Sequence, residues 1–113
     1  METIYHNIHQ LIWEVAKYNI HSKEALQTKD YKRICKDARS LLDLLETGFI
    51  PEKDFKEGRE NNEDVRNFID CLNALREQED NLKRKVIAKN YYKSKKYADG
   101  FMIFLFTKMK EYK

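Results

Sequence analysis

The richest set of chemistry-bearing side chains in this sequence lies between residues 83 and 97. The stretch holds seven basic residues and three tyrosines and has no acidic residue. Its basic and aromatic members are Lys83, Arg84, Lys85, Lys89, Tyr91, Tyr92, Lys93, Lys95, Lys96 and Tyr97. Because basic groups neutralise phosphates and aromatic rings stack on bases, the stretch predicts a surface that binds nucleic acid. Two alternatives remain open, namely binding to an acidic protein surface and a solvated helix face whose tyrosines cover the core.

A second candidate surface combines residues near the N-terminus with acidic residues near the middle of the chain. Three of them, including the only tryptophan, fall beside the main apolar stripe of a predicted helix, and tryptophan is enriched at binding hot spots. An acidic patch can also occupy a basic groove on another protein, or pair with basic residues of its own chain. The residues of this surface are His6, Trp13, Ile20, Glu52, Asp54 and Glu57. They support an alternative function as a protein-sequestering immunity or adaptor module.

No pattern in the sequence predicts catalysis, a metal site or a cofactor site. His6 and His9 are three residues apart, but no carboxylate or cysteine stands nearby at metal-ligand spacing. Cys35 and Cys71 fall at apolar positions, where cysteines of a reducing compartment usually act as small hydrophobic residues. The three glycines are too far apart for a phosphate-cradling loop. We therefore expect a non-enzymatic protein without a cofactor.

The elements that must position these residues are predicted to be helices. With three glycines and one proline in 113 residues, the chain lacks the tight turns that a sheet requires. Apolar residues instead recur every three or four positions. The sequence predicts an all-α protein, a small helical bundle that forms a single domain over residues 1–113.

The first half of the chain predicts an N-terminal antiparallel helix hairpin. Its first helix runs from about Thr3 to residue 27, and its second begins at Asp30 and ends before Gly48. The short connection at residues 28–30 favours antiparallel packing of the two. Residues 48–61 contain Pro51, two of the glycines and alternating charges, and they are predicted to form the main loop.

The second half predicts a long third helix followed by a C-terminal hydrophobic helix. The third helix is capped by Asn62 and continues from about residue 63 past residue 89, because no glycine or proline intervenes; a break near residues 78–81 is the alternative. Residues 101–112 have helical spacing, although their apolar run also fits a buried strand. This run must be buried in the core or covered by a partner. A helix of such length also favours self-association, which makes a homodimer one expectation.

Charge is divided unevenly along the chain. Residues 1–80 carry 12 basic and 17 acidic side chains, whereas residues 81–113 carry 10 basic and 2 acidic ones. No apolar stretch approaches the roughly 20 residues that a membrane span needs, and the N-terminal residues lack the pattern of a signal peptide. The expected location is therefore the cytoplasm, with no membrane partner.

Composition narrows the expected class of function. Lys, Asn, Ile and Tyr, all with A/T-rich codons, make up 40 of the 113 residues. The genome is therefore expected to be A/T-rich, as in low-GC bacteria and their phages. We expect a non-catalytic protein that uses residues 83–97 to bind nucleic acid or a nucleic-acid-handling protein. Phage or mobile-element regulators, including inhibitors of a host defence enzyme, belong to this class.

Overall fold

The computed structural model describes residue 10, residues 28–46 and residues 51–111. Within these ranges the chain is all-α, with four helices and no strand. The predicted first helix, with His6, Trp13 and Ile20, lies outside the described residues except for Gln10, so the N-terminal hairpin remains a prediction. In the described part of the chain, no helix has an apolar stretch long enough to cross a bilayer.

Helix α1 spans Thr28–Leu45 and presents one apolar row to the core. The row is formed by Ile34, Cys35, Ala38, Leu41, Leu42 and Leu45, all buried. Residues 28–30, predicted as a connection, already belong to the helix. Asp30 lies in its first turn, where a carboxylate interacts favourably with the positive end of the helix dipole.

The predicted main loop at residues 48–61 is wrong over most of its length, because Glu52–Asn61 forms helix α2. Pro51 has φ −54° and directly precedes the first turn, where proline is compatible with a helix start. Gly58 is buried in this helix, and a Cβ atom at that position would lie 2.6 Å from Cζ of Phe104. These two residues therefore serve helix initiation and close packing rather than a loop.

Helix α3 spans Glu63–Glu77, and the predicted cap at Asn62 is confirmed. The Asn62 side-chain oxygen accepts hydrogen bonds from the backbone N–H groups of Asp64 at 3.0 Å and Val65 at 3.3 Å. Two of the otherwise unpaired N–H groups at the helix start are thus satisfied. The carboxylates of Glu63 and Asp64 in the same turn also favour a helix start here.

The predicted continuous third helix is wrong, because the chain leaves the helix after Glu77 and begins helix α4 at Arg84. Leu82 adopts a left-handed backbone conformation with φ 47°. The Gln78 side chain stabilises the turn by accepting a hydrogen bond from the Lys83 backbone N–H at 3.2 Å. Leu82 itself packs against the core, so apolar burial holds a turn that contains neither glycine nor proline.

Helix α4 spans Arg84–Glu111 and is the longest described element, with 28 residues. It joins the second half of the predicted third helix to the predicted C-terminal helix, which is helical as expected but not separate. Of the apolar run that begins at residue 101, Phe101 and Leu105 are buried, whereas Ile103 is 68% exposed.

The core lies where α3 and α4 pack side by side and α1 covers them. Phe68 of α3 stacks on Phe101 of α4 with ring centroids 4.6 Å apart. Helix α1 contacts the α3–α4 pair near the turn that joins them. Arg84 donates a hydrogen bond to Thr28 Oγ1 at 2.7 Å, and Arg39 forms an ion pair with Glu79 at 3.2 Å. This packing leaves one side of α4 facing solvent.

Candidate nucleic-acid interface

The predicted basic residues lie at the start of α4, and the two sides of that helix differ completely in chemistry. One side is a continuous buried row with spacings of three and four residues. The row consists of Ile87, Tyr91, Ser94, Ala98, Phe101, Leu105 and Met109. Because an α-helix turns about 100° per residue, this spacing keeps the row on one face against α3 and α1. The opposite side carries most of the positive charge of the helix.

We refer to the exposed residues Lys85, Lys89, Tyr92, Lys93 and Lys96 as the basic stripe. At 100° per residue these five positions fall within an arc of about 100° on the side of α4 opposite the buried row. The stripe extends about 17 Å along the helix, since each residue adds about 1.5 Å. Helical geometry thus gathers four lysines and one aromatic ring on a single solvent-facing strip.

The charges of the basic stripe are not neutralised by the rest of the described chain. Lys85, Lys89, Lys93 and Lys96 form no ion pair with any residue in the described ranges, nor does the exposed Lys83 just before the helix. Helix α4 contains eight basic and two acidic residues, and both acidic residues, Asp99 and Glu111, follow the stripe. A polyanion at this surface would therefore meet uncompensated positive charge.

Three basic residues of the predicted site, one of them in the stripe, contact neighbouring aromatic rings. Arg84 lies over the ring of Tyr31 on α1, with its guanidinium carbon 5.5 Å from the centroid. Lys95 Nζ lies 4.7 Å from the Tyr91 centroid, and Lys96 Nζ lies 5.5 Å from that of Tyr97. Cation–π contacts of this kind contribute on the order of 0.5–1 kcal/mol at exposed sites. Arg84 and Lys95 thus have a packing role as well as a charge.

The two adjacent tyrosines of the predicted site differ in burial. Tyr91 is 1% exposed and belongs to the core, so its assignment to a binding surface is wrong. Its spacing of four from Ile87 and seven from Ala98 already follows the buried row. Tyr92 is 57% exposed and lies in the middle of the basic stripe. Tyr97 is partly buried against the core.

The structure also exposes three lysines on α1 that were not predicted as site residues. Lys29, Lys32 and Lys36 are exposed on α1. Lys29 adjoins Thr28, which accepts the hydrogen bond from Arg84, so positive charge continues from the start of α4 onto the start of α1. The spacing of three and four residues among these lysines was a usable signal. That α1 begins beside α4 depends on tertiary contacts.

The alternative surface is only partly described. Glu52 and Glu57 are exposed on α2, but Asp54 is 6% exposed and therefore does not lie on an accessible patch. His6, Trp13 and Ile20 lie outside the described residues. Proximity of the acidic and the N-terminal residues remains a prediction.

A groove of about 560 Å³ lies between α1, α2 and α3. Leu42, Leu45 and Ile69 contribute apolar lining, and at its rim Arg76 pairs with Glu46 at 3.7 Å. Among the described residues, no group of three or more His, Cys, Asp or Glu side chains is arranged to hold a metal ion. The lining of the groove thus combines apolar and charged side chains.

Both cysteines are buried free thiols, as their apolar positions predict. Burial raises the pKa of the Cys35 thiol to about 11, and Glu79 adds to this effect. Burial also raises the pKa of Cys71, although the nearby Lys93 acts in the opposite direction. Because the thiolate is the reactive form, burial and the raised pKa disfavour reaction of both thiols.

Comparisons of the chain with protein-family models, with curated proteins and with solved structures gave no match.

Proposed function

We propose that this protein is a non-catalytic nucleic-acid-binding protein whose contact surface is the basic stripe of α4. The single observation that carries the proposal is that the stripe places four exposed lysines on one face with no ion pair among the described residues. Lysine ammonium groups in such a row suit the regularly repeated phosphates of a nucleic-acid backbone.

The charges of the neighbouring helices also support the basic stripe as the contact surface. Helices α2 and α3 together contain eight acidic and five basic residues, so a polyanion is repelled there and attracted to α4. Lys83 directly precedes α4, and Lys29 follows Thr28, which Arg84 contacts, so both lie toward the N-terminal end of the stripe. Regulation of a nucleic acid or inhibition of a nucleic-acid-handling enzyme, as expected of a phage or mobile-element protein, would act through this contact.

The test is fluorescence anisotropy with a labelled oligonucleotide of about 20 nucleotides at low salt. We expect the triple variant Lys85→Glu, Lys89→Glu, Lys93→Glu to lose binding by at least about 100-fold, because three phosphate contacts become repulsive. The matched control reverses the exposed Lys53, Lys56 and Arg66 on α2 and α3. It has the same net charge as the triple variant and should lose much less affinity.

Two results would overturn the proposal. One is absence of measurable binding by the wild-type protein at low salt. The other is equal loss of affinity in the triple variant and its control, which would mean that net charge alone drives association. A labelled polyglutamate of equal charge, binding as tightly as the oligonucleotide, would favour an acidic protein partner instead. Circular dichroism of each variant verifies that the helices remain folded.

A further inference from the structure

We infer that the preferred ligand of the basic stripe is single-stranded nucleic acid, with Tyr92 stacking on an unpaired base. The inference rests on the proposed function, because it assumes that the stripe contacts phosphates. It adds that the single-stranded form is preferred over the duplex, and it assigns base stacking to Tyr92.

Tyr92 is the exposed tyrosine of residues 83–97. Its side chain is 57% exposed, whereas Tyr91 and Tyr97 in the same segment are buried or partly buried. The ring of an exposed tyrosine leaves apolar area in contact with water. A ligand can cover that area by packing on the ring. In the described part of the chain, only Ile103 is a comparably exposed large apolar residue.

Neighbouring side chains of α4 flank and support the Tyr92 ring. Tyr92 lies three residues after Lys89 and four before Lys96, so lysines flank it on the same face of the helix. The Tyr91 ring packs edge-on against it with centroids 5.3 Å apart, and Lys95 Nζ lies 5.6 Å from its centroid. Because Tyr91 is anchored in the core, these contacts restrict the ring and lower the entropy lost on binding.

The chemistry of the two nucleic-acid forms decides between them. In a duplex the base faces are covered by stacking, so an aromatic ring on a helix surface reaches only the backbone or a groove. In a single strand every base offers a free face, and one stacked aromatic side chain is worth roughly a 5- to 150-fold gain in affinity. Lysines beside the ring then bind the adjoining phosphates.

The stripe also predicts that binding is independent of sequence. Its members are lysines and a tyrosine; it has no Asn or Gln to read adenine and no Arg, so lysine is its only side chain of a type that reads guanine. Lysine acts as a point charge toward phosphate, and a stacked ring accepts any base. Strands of different composition should therefore bind with similar affinity.

The experiment compares three labelled ligands of equal length: a single-stranded oligothymidylate, a duplex, and a strand that carries abasic sites at its central positions. Wild-type protein should bind the single strand most tightly. Tyr92→Ala should weaken that binding 5- to 150-fold and leave duplex binding nearly unchanged. Tyr92→Phe keeps the ring and should behave like the wild type. Ile103→Ala, the matched control, removes an exposed apolar side chain without effect.

The abasic strand separates the inference from the proposed function. It keeps the phosphates, so the wild type should still bind it, with the affinity that Tyr92→Ala shows for the intact strand. If all three ligands bind equally and Tyr92→Ala has no effect, the inference fails while the proposed function stands. If none of them binds, both fail. An RNA strand with affinity similar to that of DNA would agree with the inference, since stacking and phosphate contact require no 2′-hydroxyl.

Discussion

The two faces of α4 share one helix but have opposite roles. The buried face carries Ile87, Phe101 and Leu105 into the core, and each is fully buried. The exposed face carries the lysines of the basic stripe and Tyr92 at the same helical spacing. One face contributes stability by removing apolar area from water, whereas the other contributes charge and an aromatic ring that fold stability does not require.

Because the two faces of α4 are separate, stability and binding can be changed independently. Substitutions on the buried face should alter the free energy of unfolding, and substitutions on the basic stripe should alter mainly affinity. Surface lysines without partners contribute little to stability. A cluster of like charges along one helix is even slightly unfavourable. A binding role would explain why the folded helix carries such a cluster.

The largest expected effect on stability comes from the buried face. Phe101→Ala removes a ring that stacks on Phe68 and should lower the free energy of unfolding by about 3–5 kcal/mol. Ile103→Ala, two residues further along on the exposed face, should change it by less than about 0.5 kcal/mol. Urea denaturation followed by circular dichroism measures both. Similar losses in the two variants would contradict the assignment of faces.

An intermediate effect is expected at Gly100, which is partly buried and lies against Asp64 of α3. A Cβ atom there would lie 2.6 Å from Cβ of Asp64 and closer still to its carboxylate. Gly100→Ala should therefore destabilise the protein by about 1–3 kcal/mol, although the same change in an open helix is stabilising. Because the clash includes Cβ of Asp64, the background that relieves it is Asp64→Gly. In that background Gly100→Ala should become stabilising; an unchanged sign would exclude the clash as the cause.

The smallest expected effect concerns the turn that directs α4 against α3. Leu82 has φ 47°, a conformation that costs a residue with a Cβ atom roughly 1 kcal/mol relative to glycine. Leu82→Gly should therefore be more stable than Leu82→Ala by about 1 kcal/mol. At Asp80, an exposed position of the same turn without a positive φ, the alanine variant should be the more stable. Thermal denaturation of the four variants gives both differences.

Helical periodicity predicted much of the fold that the described residues display. The buried row of α1 and the cap at Asn62 follow directly from residue spacing and side-chain type. Where the prediction failed, tertiary packing decided. Gly58 indicates a loop by type, but it lies within a helix, where its missing side chain leaves room for the Phe104 ring. The turn before α4 has no breaker residue, and packing of the partly buried Leu82 against the core favours its backbone conformation.

The candidate site remains a prediction, and the structure shows only where its residues lie. The basic character of residues 83–97 is evident from composition, yet composition treats Tyr91 and Tyr92 alike. Only the relation of each to the buried row separates the core ring from the exposed one. The approach of Lys29 to the start of α4 depends on the Arg84–Thr28 hydrogen bond, and no local pattern encodes a contact between residues so far apart in the chain.

The most direct test of the account is the salt dependence of oligonucleotide binding. If the four stripe lysines each contact a phosphate of a single strand, the slope of log K against log salt should be about −2.8. Single variants Lys85→Gln, Lys89→Gln and Lys93→Gln should each reduce its magnitude by about 0.7, while the urea midpoint stays constant. A slope near zero, or slopes that these substitutions leave unchanged, would contradict the assignment of the basic stripe as a phosphate-binding surface.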